Sequence, residues 1–139
     1  MAEHSCNYMI YPHTGDWDRG AVTREADRFN LPLEPAQAGA HAGTLPKTQG
    51  FLEIDAEEIM LSAIKKPEQD GDLLLRVYNP TKRPVKTQIS FFRNIARARF
   101  VNLNEKPLKT DALKTSGKKV MFLARGKKIY TLKISFQND

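Results

Sequence analysis

From Phe51 to Phe136 the apolar side chains return at every second position, segment after segment. Val85, Thr87, Ile89 and Phe91 alternate with Lys86, Gln88 and Ser90, and Tyr130, Leu132, Ile134 and Phe136 alternate with Thr131, Lys133 and Ser135. A period of two puts one set of side chains on each face of an extended chain, so each segment reads as a strand with one dry and one wet face. Further strands are expected at Phe51–Ile54, at Leu73–Tyr78, over Arg97–Leu103 and over Lys119–Ala124. Another runs through Ile59–Ile64, with Ile59, Leu61 and Ala63 on one face and Met60 and Ile64 on the other. Turn signals fall between them, at Asn79-Pro80-Thr81-Lys82 and at Gly126-Lys127. Strands at short intervals with almost no helix predict an all-β fold, an antiparallel β-sandwich. Its two dry faces pack together and leave Lys and Arg outside. Leu75, Val77, Ile89, Phe91, Leu132 and Ile134 are the expected core.

Residues 1–50 have a different texture, with four prolines and five glycines. They hold one strand candidate, Asn7–Tyr11, and one helix candidate near Ala21–Phe29, where Val22, Ala26 and Phe29 share a face. Asn30 and Pro32 then end the helix, and Glu34–Thr48 reads as an extended connection. At 139 residues the chain suits one domain. The expected organisation is a single β-sandwich domain over 1–139, with 1–50 as a strand–helix–loop extension and 51–136 as the main strands.

The net charge of +6 is unevenly spread. Residues 1–62 carry four basic and ten acidic side chains, and residues 63–139 carry eighteen basic and six acidic. A basic half suggests a nucleic-acid surface only if aromatics interleave with the cations. Phe91, Phe92, Arg93, Arg97, Arg99 and Phe100 come closest, but the period of two assigns Phe91 and Phe100 to the core. The basic residues alternate with apolar ones as the wet face of a sheet requires, so no nucleic-acid partner is expected. No apolar run approaches the roughly 18 residues that span a bilayer, so no membrane partner is expected either. The first residues lack a basic stretch followed by an apolar one, so no secretory signal is read there. Cys6 is the single cysteine; a lone thiol fits a reducing compartment, and a cytoplasmic location is the expectation.

Three sets of residues carry groups suited to chemistry. Glu53, Asp55, Glu57 and Glu58 form the densest carboxylate run, with Glu57 and Glu58 at an expected turn, and read as a solvated hairpin. His4, Cys6, His13 and His41 follow no metal-ligand spacing, so no metal site is expected in this chain. Tyr11-Pro12-His13-Thr14-Gly15-Asp16-Trp17 is the segment richest in functional groups. Aromatic rings stack on sugar faces and Asp and His bond hydroxyls, so His13, Asp16 and Trp17 are the candidate contact residues. A structural reading stands beside this one, with Trp17 packed on the sandwich and Asp16 or Asp18 capping the following helix.

Ordered segments resemble the C-terminal region of family 38 glycoside hydrolases, the α-mannosidases. They are Tyr8-Met-Ile-Tyr-Pro-His-Thr-Gly-Asp-Trp17 with Arg24-Glu25-Ala26 and Phe29-Asn30, then Phe51-Leu-Glu-Ile, Leu61-Ser-Ala-Ile-Lys65 and Leu74-Leu-Arg-Val-Tyr-Asn-Pro80, and last Ile129-Tyr-Thr-Leu-Lys-Ile134. The resemblance implies a β-sandwich belonging to a larger retaining enzyme. That enzyme binds zinc and acts on α-mannosides through an N-terminal α/β domain whose motifs match no position here. No catalytic residue is therefore carried onto this chain. Its implied partner is the catalytic domain of the parent chain, its implied substrate contact is through the parent, and His13, Asp16 and Trp17 become candidates for an interdomain contact. The alternatives are a free-standing carbohydrate-binding module, which the scarcity of aromatic residues disfavours, and a basic interaction domain.

Overall fold

A computed structural model describes residues 3–68, 71–109 and 113–137. The chain divides into two compact units, Met1–Ala40 and His41–Asp139.

The second unit holds every strand found among the described residues. In chain order these are β1 (Leu52–Ile54), β2 (Met60–Lys65), β3 (Leu73–Asn79), β4 (Val85–Phe91), β5 (Ile95–Val101), β6 (Lys114–Ser116), β7 (Lys119–Ala124) and β8 (Lys128–Phe136). They form two four-stranded antiparallel sheets, ordered β1-β4-β7-β6 and β2-β3-β8-β5. The all-β sandwich read from the period of two is the observed fold. Register sets the core. Leu75 opposes Leu132 and Val77 opposes Tyr130 across β3 and β8, while Ile89 opposes Val120 across β4 and β7. All six expected core residues are buried, in one cluster with Ile59, Ile95, Phe100, Val120, Phe122 and Ala124. Phe100, Phe122 and Tyr130 close one side of it, with ring centroids 5.2–5.5 Å apart.

The chain changes sheet after β3, and the corner is built from polar groups. Asn79 and Thr81 are buried. Asn79 Nδ2 donates to the Arg83 and Ala124 carbonyls, each at 2.9 Å. Its Oδ1 accepts from the Thr81 amide at 2.9 Å and from the Thr81 hydroxyl at 2.8 Å. The Ala124 bond ties this corner to the β7–β8 turn. Gly126 sits in that turn because a Cβ there would lie 2.4 Å from the Lys82 carbonyl oxygen. The expected turns at Asn79–Lys82 and Gly126–Lys127 are therefore two halves of one joint.

Three local expectations are corrected. The alternation expected for β2 breaks at a register shift between Leu61 and Ala63, which sets Ala63 opposite Arg76 and off the face of Ile59, and Leu61, opposite Val77, is 40% exposed rather than part of the buried cluster. The fifth strand runs Ile95–Val101 rather than Arg97–Leu103, since the chain already turns by Asn102, whose side-chain oxygen accepts the Asn104 and Lys106 amides. Lys133 lies on the expected wet face yet is 6% exposed.

In the first unit, α1 spans Val22–Asn30, close to the expected Ala21–Phe29. It ends as read, with Asn30 Nδ2 donating to the Ala26 carbonyl at 2.8 Å. Asn7–Tyr11 is not a strand. An extended segment becomes one only where another pairs with its backbone, and no strand among the described residues does so. Glu34–Thr48 is an irregular connection, as expected. Among the described residues no helix is long and apolar enough to cross a membrane.

Candidate functional site

The segment ahead of α1 folds into a succession of turns. The Asp16 carboxylate accepts the Arg19 amide at 3.0 Å, and the Asp16 carbonyl accepts the Gly20 amide at 2.9 Å. The N-cap of α1 is Ala21, with φ 52° and no side-chain cap. Neither Asp16 nor Asp18 caps the helix itself: Asp16 spends its carboxylate one turn earlier. The chain is close-packed at this bend, where a Cβ on Gly20 would lie 2.4 Å from His13 Nδ1.

Around this bend lies a recess of about 620 Å³ lined by Tyr11, Pro12, His13, Thr14, Arg19, Gly20, Ala21 and Arg24. Tyr11 and His13 stack with ring centroids 5.9 Å apart and planes at 27°. The structure thus joins His13 to Tyr11, Arg19 and Arg24. Asp16 braces the turn from outside the lining, and Trp17, also outside it, is 41% exposed. The arginines were invisible as site residues in sequence because they sit on the following turn and helix, without a motif of their own.

The acidic run has structural employment. The Asp55 carboxylate accepts the Gln88 amide at 2.7 Å, and Glu58 pairs with Arg83 at 3.4 Å. Retaining glycoside hydrolysis needs two carboxyl groups about 5–5.5 Å apart and free to act, which leaves Asp55 and Glu58 poor candidates. Among the described residues no group of three or more His, Cys, Asp or Glu side chains could hold a metal ion. The zinc implied for the larger enzyme therefore has no fitting donor set among them. Phe91 and Phe100 are in the core, Phe92 packs against Phe51 and Phe136, and Arg93 donates to the Gln137 carbonyl. The aromatic members of the stretch and Arg93 are thus engaged within the fold.

A second recess, of about 430 Å³, lies on the outer face of the β2-β3-β8-β5 sheet, lined by Glu68, Arg99, Leu103, Asn104, Glu105, Lys106, Pro107 and Lys133. Sequence reading missed it, since its residues come from two strands and two loops with no local pattern. Glu105 organises it. Its backbone turns into the left-handed region, φ 61°, and its carboxylate meets Lys65 Nζ at 2.8 Å and accepts the Glu68 amide at 3.2 Å. The Lys65 hydrogen bond holds the Glu105 carboxyl below its usual range, against a smaller upward push from desolvation. A depressed folded-state pKa stabilises the fold above the ordinary carboxyl range, and that contribution is lost as pH falls through the folded value. Glu105→Gln should therefore lower the melting temperature at neutral pH, with the gap to the unmutated chain closing as the solution is made strongly acid. A pH-independent gap would assign the effect to packing alone.

Comparison with known proteins places these features. Residues 58–137 match the family described as the glycosyl hydrolases family 38 C-terminal beta sandwich domain. The chain is also similar to alpha-mannosidase G of Dictyostelium discoideum, 29% identical over 79 residues. That likeness covers 56% of this chain but 7% of the relative, so the chain spans a small part of that protein's length. The matched span runs from the acidic turn before β2 through β8 and takes in the Asn79 corner, the core strands and the recess at Glu105, while Tyr11–Trp17 lies outside it. With more than half its length matched, this chain belongs to the glycosyl hydrolase family 38 C-terminal β-sandwich domains.

Proposed function

We propose that this chain is a non-catalytic C-terminal domain of a zinc-dependent, retaining α-mannosidase, and that it packs against the catalytic domain of the parent. The family match supports the setting. The observation that carries the packing is the surface of the first unit. No described residue before Ala40 is buried, and Tyr8, Ile10, Leu31 and Leu33 are each more than 70% exposed. Apolar side chains gathered in one 40-residue unit mark a surface that a larger protein covers. Tyr11–Trp17 lies within that unit, and His13, Asp16 and Trp17 are its proposed contact residues, near the rim of the mannoside site. The domain's part in the reaction is support: the zinc and the acid–base carboxylates belong to the parent's other domain.

Two measurements test this. The isolated chain, supplied with zinc and an aryl α-mannoside, should show no turnover; activity that co-purifies with the chain through successive columns would defeat the non-catalytic assignment. Trp17 is the chain's one tryptophan, so its fluorescence reports the contact directly. Its emission should be that of a water-exposed indole in the isolated chain and should shift to the blue in the parent. Trp17→Ala should then leave the melting temperature of the isolated chain nearly unchanged while lowering the activity or stability of the parent. Identical emission in both proteins would remove Trp17 from the interface.

A further inference from the structure

We propose that the recess at Glu105 is a binding site for a small molecule carrying one carboxylate or phosphate group beside hydroxyl groups. The site is set by sheet register. Lys65, Leu74, Lys133 and Arg99 lie side by side across β2, β3, β8 and β5, so Lys133 and Arg99 are direct cross-strand neighbours with Cα atoms about 5 Å apart. On an ordinary wet face two such cations would splay into water. Here the Lys133 side chain is only 7% exposed, Arg99 is half-buried, and both line the same recess. Asp72 stands 4.0 Å from Lys133 Nζ. Arg99 makes no hydrogen bond or ion pair among the described residues.

Asp72 answers the Lys133 charge, so the cation that an incoming anion would pair with is Arg99, with Lys133 adding to the positive field of the same recess. The planar guanidinium fork of Arg99 suits a carboxylate or phosphate, which it grips through two parallel hydrogen bonds. The rest of the wall is equipped for hydroxyl groups. Asn104 offers an amide, and the Glu105 carboxylate is fixed in place by Lys65 and the Glu68 amide. The volume of about 430 Å³ falls within the roughly 300–1,000 Å³ of small-molecule sites. Glu68 and Glu105 in the same wall disfavour a polyanion, which would have to lay further phosphates beside them. The proposal does not depend on the domain's place in a parent enzyme.

The test uses the 139-residue chain with four probes: glucose 6-phosphate, glucuronate, inorganic phosphate and glucose. Amide chemical shifts and melting temperature are followed for each at fixed ionic strength. The two sugar anions should bind saturably, shift the amides of Arg99, Asn104 and Lys133, and raise the melting temperature. Bare phosphate should bind more weakly, and glucose should produce no shift. A preference between the two sugar anions assigns the acidic group as phosphate or carboxylate. Arg99→Gln removes a side chain without a bond among the described residues, so the variant should melt normally yet bind the sugar anions at least about tenfold more weakly. The idea is overturned if glucose binds as well as its anionic relatives, if Arg99→Gln binds like the unmutated chain, or if a short single-stranded oligonucleotide displaces glucose 6-phosphate from the recess at lower concentration than glucuronate does.

Discussion

Phe91→Ala should cost about 3–5 kcal/mol of stability, the usual range for emptying a buried aromatic site. Phe91 closes β4 on its buried face, 5% exposed. It packs edge-to-face on Phe136 at 5.7 Å and 66°, and its Cα opposes Leu52 of the edge strand β1. The ring therefore joins the end of β4 to the end of β8 in the opposite sheet. Removing it leaves a cavity whose walls are held by two sheets and collapse only partly. For a chain of this size the loss corresponds to a fall of roughly 10–20 °C in melting temperature. Urea unfolding, with the slope compared between variants, separates lost stability from a change in the unfolded state. Phe92→Ala is the control from the neighbouring position. Phe92 is 42% exposed, so its truncation should cost far less despite its contacts with Phe51 and Phe136. Equal costs at the two positions would mean that alternation does not decide burial at the end of this strand.

The alternation was legible in sequence because period two is a property of the strand itself. Wherever a strand runs straight between two partners, as β4 and β8 do, the inward set could be named residue by residue. It failed where geometry outside the strand intervenes. Ala63 left the face of Ile59 at the register shift in β2, which depends on pairing with β3 and leaves no mark in the local pattern. Lys133 has the outward parity of a wet-face residue and is buried by position, in the recess that Glu105 helps to wall. Asn7–Tyr11 had the composition of a strand but no partner for its backbone. The same reasoning explains which part of the candidate sites could be read. His13, Asp16 and Trp17 stood out because unusual side chains cluster within a few positions. Arg99, Glu105 and Lys133 are ordinary surface residues in sequence and become a group only through the order of the sheet.

Asn79→Ala should be among the costliest substitutions in the chain for its size, at about 3–5 kcal/mol. Asn79 is 1% exposed, and truncation would take a partner from four groups: the Ala124 carbonyl and the Thr81 amide lose their side-chain partner, while the Arg83 carbonyl and the Thr81 hydroxyl keep only their bond to each other at 3.1 Å. Each buried group left without a partner costs about 1–3 kcal/mol, and the two that keep their mutual bond lose less, so the terms in this network do not add in full. Asn79→Asp separates this account from simple loss of packing. The carboxylate has nearly the same shape but carries no donor, and it would face the carbonyl oxygens of Arg83 and Ala124. Burial and those oxygens raise its folded-state pKa above the ordinary Asp value, so the folded protein binds the proton more tightly than the unfolded one. The stability of Asn79→Asp should therefore rise relative to Asn79→Ala as pH falls toward the ordinary Asp range, where the protonated carboxyl regains one donor. Melting temperatures of the two variants across that range decide the matter. Converging curves at low pH, with Asp overtaking Ala, assign the joint between the two sheet-switching turns to the hydrogen bonds of one amide; parallel curves would assign it to the volume of the side chain.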